Sequence, residues 1–328
     1  MSSLTATGQR RKQMYKSGLS QGTTHRTNSA VQLRKAKRQK QLSSKRMKFT
    51  NTISTTTSTT TTTQPQHTPE ELQTMVQNLV TTLSSNSSTT TLTTAIKQLR
   101  KLLSEITAHA PPITAIIQCN GVPVLINYLT STSEEQRLEA AWCLSNIASG
   151  THEQAQHVLP AVPYLVGFLT GTEPALREQS LWALGNLAGD GPEFRTVLHA
   201  NGVLVPTAQV YTSTTSITTA TTAAWALSNL AKGRDTSALP FLQANVLTSI
   251  VSYIENNSNN INNEQDAMNK RMLLIESCWL LAYIVAKEVE CVHSILSTTN
   301  GTIVSVLCNQ LIPLDEELAR PVLRSLGK

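Results

Sequence analysis

The stretch 139-EAAWCLSNIASGT-151 recurs down the chain, and its recurrence decides the fold. It returns as 178-EQSLWALGNLAGDG-191, 223-AAWALSNLAKG-233 and 276-ESCWLLAYIVAKE-288. Successive tryptophans, Trp142, Trp182, Trp225 and Trp279, lie 40, 43 and 54 residues apart. The last interval holds the polar insertion 256-NNSNNINNEQD-266, which reads as a surface loop; without its eleven residues the spacing is again 43. A short apolar segment precedes each of the first three: 122-VPVLINYLT-130, 162-VPYLVGFLT-170 and 203-VLVPTAQV-210. No segment shows the alternation of a strand. Helices repeating every 40–47 residues or so are the signature of HEAT or armadillo arrays. One unit cannot bury its apolar face alone, so neighbours must stack into a solenoid with a concave surface. The expected fold is all-α.

Placed on a helix, residues 140–149 sort into two faces. Ala140, Leu144, Ile147 and Ala148 share one, while Trp142, Asn146 and Ser149 lie on another. Leu184 and Leu187 oppose Trp182 and Asn186 in the same way, and Leu227 and Leu230 oppose Trp225 and Asn229. A lone tryptophan on a helix is usually core. Here all four tryptophans of the chain share one register, each opposite an apolar face, and three are followed at i+4 by Asn, whose amide is costly to bury unpaired. The pattern predicts a ladder of Trp and Asn along the concave surface. Indole faces form slots for Lys or Arg stems, each worth about 0.5–2 kcal/mol, and Asn can both donate to and accept from an extended peptide. Glu139, Glu178, Glu276 and especially Asp190, read as following the helix in 185-GNLAGDG-191, would favour a basic ligand.

The net charge of +6 hides a division. Of 27 Lys and Arg, 13 fall within residues 1–50, which hold no Asp or Glu; residues 51–328 keep 14 against all 21 acids. Such asymmetry predicts a basic arm with an acidic partner. Its densest part, 32-QLRKAKRQKQLSSKRMKF-49, has good helix formers but few apolar residues, so it is expected to fold only on that partner. The Thr-rich run 51–67 reads as a disordered linker. The body begins at 68-TPEE-71, where Thr68 caps a helix, Pro69 takes its first position and acids fill the first turn. The expected organisation is a basic arm over 1–50, a linker over 51–67 and a repeat body over 68–328.

Several classes of chemistry find no support. The five cysteines form no C-x-x-C pair and read as core fillers; with no apolar leader at the start, they suit a reduced, intracellular compartment. The seven histidines are scattered, and His152 and His157, five apart, do not form an i,i+4 metal pair. The glycines of 185–191 lack the Lys-Ser/Thr of a phosphate loop and read as a helix-ending turn. The most apolar window, 272-MLLIESCWLLAYIVA-286, is fifteen residues long and carries Glu276, so it reads as a core helix rather than a membrane span. No enzyme, metal or cofactor is expected.

Taken together, 101-KLLS-104, 111-PPITAII-117, 141-AWCLSNIASGT-151, 177-REQSLWALGNLAGD-190 and 224-AWALSNL-230 resemble the importin alpha family, the armadillo-repeat adapters of nuclear import. The arm segment 33-LRKAKRQKQ-41 is similar to that family's importin-beta-binding segment. The stretches 33-LRKAKRQKQLSSKR-46, 159-LPAVPYLVGFL-169 and 321-PVLRSLG-327 also resemble a divergent importin-alpha-like branch.

The resemblance implies a right-handed armadillo superhelix of about five to six repeats. It implies that Trp142, Trp182 and Trp225 line a groove for nuclear localisation signals, with Asn146, Asn186 and Asn229 on the peptide backbone. Asp190 and the main chain at Gly150 would hold the most demanding lysine, and Trp279 and Tyr283 would serve the next repeat. Arg34, Lys35, Lys37, Arg38, Lys45 and Arg46 would contact importin beta. The implied partners are importin beta and proteins with basic signals, with no direct nucleic acid and no membrane span, in a chain shuttling between cytoplasm and nucleus. An armadillo scaffold without transport activity is the alternative. The sequence departs from the family at Ala155, where the family has a Thr beside the lysine pocket, at the short basic cluster 44-SKR-46, and in the Thr-rich 212-TSTTSITTATT-222. Ending at Lys328, it would also lack the family's minor groove and export-factor site.

Overall fold

The computed structural model describes residues 68–104, 112–233, 237–255, 264–311 and 315–327. The chain divides into two units, Met1–Gln66 and His67–Lys328. The arm and linker, with Arg34, Lys35, Lys37, Arg38, Lys45 and Arg46, lie outside the described residues.

The second unit opens with two helices, α1 (Pro69–Leu83) and α2 (Thr89–Ser104). The start of α1 is a reciprocal cap: the Thr68 hydroxyl accepts from the Glu71 amide at 3.2 Å, and the Thr68 amide donates to the Glu71 carboxylate at 2.8 Å. Five three-helix repeats follow. The first comprises α3 (Ile113–Gln118), α4 (Gly121–Tyr128) and α5 (Glu134–Ile147); the second, α6 (His152–Gln156), α7 (Val162–Leu169) and α8 (Pro174–Asp190). The third comprises α9 (Pro192–Ala200), α10 (Leu204–Ser213) and α11 (Ile217–Leu230); the fourth, α12 (Leu239–Gln243), α13 (Val246–Glu255) and α14 (Glu264–Val285). The last comprises α15 (Val289–Thr298), α16 (Thr302–Asn309) and α17 (Glu316–Leu326). Among the described residues there is no strand. This is an all-α armadillo solenoid.

The sequence pattern showed two helices per repeat, and the structure adds a third. These first helices run five to ten residues, too short to register a helical period. In four repeats the turn into the second helix contains a left-handed residue: Asn120 (φ 57°), Gly202 (67°), Asn245 (54°), and Asn300 with Gly301 (48° and 77°). Asn and Gly tolerate that conformation with the least strain. The second repeat turns instead through a short 3-10 segment, Leu159–Ala161.

The third helices form the spine. α2, α5, α8, α11, α14 and α17 each pack on the next, and α4, α7, α10, α13 and α16 pack on the third helix of their own repeat. A spine helix therefore has neighbours on three sides. In α5 and its cap, every residue from Glu139 to Ala148 is buried, so the helix shows little amphipathic contrast. The predicted apolar face is the contiguous core: Ala140, Leu144, Ile147, Ala148, Leu184, Leu187, Leu227 and Leu230 all belong to it. The buried thiols of Cys143, Cys278 and Cys291 fill it too, and burial pushes Cys278 up to about 12. At the last interface, Arg271 of α14 donates from Nε to Asp315 at 2.7 Å, and Asp315 in turn caps α17. The guanidinium holds the Asp315 carboxyl below its ordinary range.

Two sequence readings are corrected. The window 272–286 is core, but its helix runs from Glu264 to Val285, so the end of the supposed loop 256–266 is already helical. Residues 256–263 lie outside the described residues. Of the three glycines of 185–191 only Gly191 ends the helix, as its C-cap: α8 continues through Gly185 and Gly189 to Asp190, its last residue. The two inside the helix are there for close approach. A Cβ at Gly185 would fall 2.3 Å from the Trp225 ring, and one at Gly189 would fall 3.0 Å from Asn229 Nδ2. The pattern alone could not distinguish a helix-ending glycine from one that makes room.

Gly185→Ala is therefore expected to lower stability, although alanine favours a helix interior by about 1 kcal/mol over glycine. Gly167 in α7, where a Cβ would meet nothing within 4 Å, is the control. Gly167→Ala should raise the urea midpoint while Gly185→Ala lowers it.

Candidate functional site

The predicted ladder stands on the spine helices. α5 supplies Trp142 and Asn146, α8 supplies Trp182 and Asn186, α11 supplies Trp225 and Asn229, and α14 supplies Trp279 and Tyr283. Trp142 and Trp182 are 6% exposed and stand outside the contiguous apolar core, whereas Trp225, Trp279 and Tyr283 are half-buried. The register is as expected, but the first two rings are more covered than an open row would leave them. Successive rings touch: the Trp182 and Trp225 centroids are 5.2 Å apart at 48°, and Trp279 stacks on Tyr283 at 5.7 Å.

Each asparagine binds the spine helix before its own. Asn186 Nδ2 donates to the Ser145 carbonyl at 3.1 Å, and Asn229 Nδ2 to the Gly185 carbonyl at 2.9 Å. Asn146 Nδ2 donates to the Ser104 hydroxyl at 3.0 Å. A main-chain carbonyl can only accept, so the amide orientation of Asn186 and Asn229 follows from chemistry. The sequence reading gave these side chains wholly to a ligand. The structure spends one donor of each on tying repeat to repeat.

Cations already sit on the rings. The Arg100 guanidinium of α2 lies 4.6 Å above the Trp142 ring, and Arg324 of α17 lies 5.3 Å above Tyr283. Arg100 also pairs with Glu139. Glu139, read as one of the acids that would favour a basic ligand, is buried, and burial pushes its carboxyl up against the pull of Arg100. Glu276 is buried in α14 and Glu178 is half-buried.

Asp190 is the last residue of α8, and its side chain meets His152 at the start of α6 in the same repeat. His152 Nδ1 lies 2.8 Å from Asp190 Oδ2, and Nε2 lies 3.4 Å from Glu193 Oε1. The edge of the imidazole meets the Phe194 ring at 4.9 Å. Gly150 is half-buried at the end of α5, and Ala155 is fully buried. Sequence reasoning passed over His152 because it tested only for a metal pair. Its partner Asp190 lies 38 residues further on, at the other end of the same repeat, beyond the reach of a local pattern. Among the described residues, no group of three His, Cys, Asp or Glu could hold a metal ion. None of the described helices is by itself long and apolar enough to cross a membrane.

Comparison with known proteins fits this geometry. The Armadillo/beta-catenin-like repeat family matches residues 109–149 and 151–189, and the Importin beta binding domain family matches residues 11–95. Importin subunit alpha-2 of Oryza sativa subsp. japonica is 42% identical over 237 residues, 71% of this chain and 42% of the relative. The chain belongs to the importin alpha family. Importin subunit alpha-3 of Caenorhabditis elegans is likewise 42% identical, over 58% of this chain and 34% of its own length. The chain thus spans less than half the length of these importin alpha relatives. A designed armadillo repeat protein superposes with a TM-score of 0.65 at 20% identity, covering 77% of this chain and 98% of its own, a likeness of fold.

Two stability outcomes follow from the importin-alpha-type ladder. Asn229→Ala removes the inter-repeat donor to the Gly185 carbonyl and should cost about 1 kcal/mol, read as a lower urea midpoint. Arg100→Ala leaves Glu139 buried without its cation and should cost on the order of 3 kcal/mol near neutral pH. That loss should shrink on acidification: an unpaired buried carboxyl has a folded pKa above its unfolded one, so it destabilises only where the unfolded state is ionised.

Proposed function

We propose that this chain is a nuclear import adapter. The ladder binds an extended basic signal peptide, and the arm binds importin beta and so couples cargo to transport. The observation that carries the reading is the row of rings in one register with guanidinium groups already resting on two of them. Trp142, Trp182 and Trp225 offer slots for Lys or Arg stems, and Trp279 with Tyr283 extends the row. Asn186 and Asn229, with one amide hydrogen bond each to the preceding helix, present Oδ1 to the N–H groups of the peptide. Asn146 takes the equivalent place in the first repeat. Asp190 and the Gly150 main chain receive the most demanding lysine. Membership of the importin alpha family supports the arm's role, since the matched importin-beta-binding region, residues 11–95, contains Arg34, Lys35, Lys37, Arg38, Lys45 and Arg46. The function is binding rather than catalysis, in a chain that moves between cytoplasm and nucleus.

One observation favours the alternative, an armadillo scaffold without transport activity. The asparagines tie repeat to repeat, so their register has a structural use of its own. Two measurements separate the readings. A labelled lysine-rich peptide should bind the full chain, and Trp142→Ala/Trp182→Ala should weaken it about tenfold or more by anisotropy while circular dichroism shows the helices retained. Wild type should also pull down importin beta, and replacing Arg34, Lys35, Lys37 and Arg38 with Ala should abolish it. Peptide binding no tighter than that of the double mutant, or no capture of importin beta, would remove the adapter reading.

A further inference from the structure

His152 is the first residue of α6, and its imidazole is 38% exposed, while the Asp190 side chain it meets is 13% exposed. Around its two nitrogens the structure offers partners for two protonation states. Nδ1 faces Asp190 Oδ2 at 2.8 Å, so this nitrogen carries hydrogen in either state. Nε2 lies 3.2 Å from the Gln156 amide nitrogen and 3.4 Å from Glu193 Oε1. A neutral ring accepts from Gln156 at Nε2; a protonated ring donates there to Glu193. The second proton thus turns a neutral hydrogen bond on Asp190 into an ion pair, with a second carboxylate at the other end of the ring.

The surrounding charges fit this arrangement. α8 contributes Asp190. α9 contributes Glu193 and also Arg195, whose guanidinium donates to the Ala188 carbonyl. α6 contributes Glu153, fully exposed beside the ring, whose carboxyl its own main-chain hydrogen bond holds below the ordinary range. α3, which packs on α6, has no charged residue. Three carboxylates therefore surround one imidazole.

A lysine ammonium reaching Asp190 meets a carboxylate that His152 already holds at Oδ2. We propose that His152 determines the lysine specificity of the groove at Asp190: its ring competes with the incoming ammonium, strongly when protonated and weakly when neutral. The inference rests on the peptide-binding reading above and adds a consequence to it. Two cations cannot share one carboxylate without repulsion, so lysine binding expels the extra proton from the ring. Lysine binding is therefore weaker to the protonated ring than to the neutral one.

The test uses the full chain and a fluorescein-labelled tetralysine-containing peptide, followed by anisotropy at about pH 8 and about pH 5.8, on either side of the ordinary histidine range. Wild-type affinity should fall about three- to tenfold between them, as expected for one competing charge. His152→Ser should bind more tightly than wild type at the lower pH and show a flat profile. His152→Gln, which keeps a neutral donor for Asp190, should also be flat. Calorimetry near pH 6.5 in buffers of different ionisation enthalpy should show proton release on peptide binding to wild type and none for His152→Gln. Asp190→Asn separates the two layers of argument. If it weakens the peptide while wild type and His152→Ser behave alike at both pH values, or if wild type releases no proton, the His152 proposal is overturned and the groove stands. If Asp190→Asn has no effect, or wild type binds no peptide, the groove reading at this position fails and the His152 proposal with it.

Discussion

Trp225 of α11 lies directly over Gly185 of α8, and four residues later Asn229 donates to the carbonyl of that same glycine. This contact sets the terms for the spine. A side chain at 185 would hold the two helices apart, and without the approach neither the indole contact with Trp182 nor the amide bond could form. The same arrangement recurs one repeat earlier with a different backbone partner, where Asn186 reaches Ser145. Burial supplies most of the favourable free energy of such a stack, but it is directionless. The asparagine bonds are directional, and they fix how far each spine helix can slide along the next.

The ladder therefore serves stability, and in the proposed reading binding, through the same side chains. Each asparagine spends one donor on the preceding spine helix, and the Trp225 indole has one side against Gly185 of α8. Arg100 and Arg324 show that the remaining faces of Trp142 and Tyr283 accept a guanidinium at ordinary cation–π distance. A groove built this way is pre-organised, because the residues that would hold a peptide are already held by the fold. His152 belongs to the same logic. It joins the first helix of the second repeat to the carboxylate that ends that repeat's third helix, where in the proposed reading a lysine enters.

Much of the architecture was legible beforehand. The four tryptophans announced the period, the leucines opposite them named the core, and Thr68–Glu71 marked where the body begins. The short first helices were not legible, since five to ten residues hold too few turns to show a periodicity. Gly185 and Gly189 were misread as a turn because a glycine's local meaning is the same whether it ends a helix or admits a neighbour. Glu139 was misjudged for a related reason: its partner Arg100 lies 39 residues away, and nothing in its immediate surroundings indicates burial.

The sequence by itself determined the repeat, the helical class, the register of Trp and Asn, and the division into a basic arm and an acidic body, because all of these are matters of spacing and composition. Only the tertiary structure decided what each member of that register touches. Whether an amide donates to a ligand or to the preceding helix, whether an indole is open or covered, and whether Asp190 faces solvent or His152 depend on the distance between helices some 40 residues apart in the chain. That distance is set by packing across repeat boundaries, at places such as Gly185, and no local window of sequence contains both sides of it.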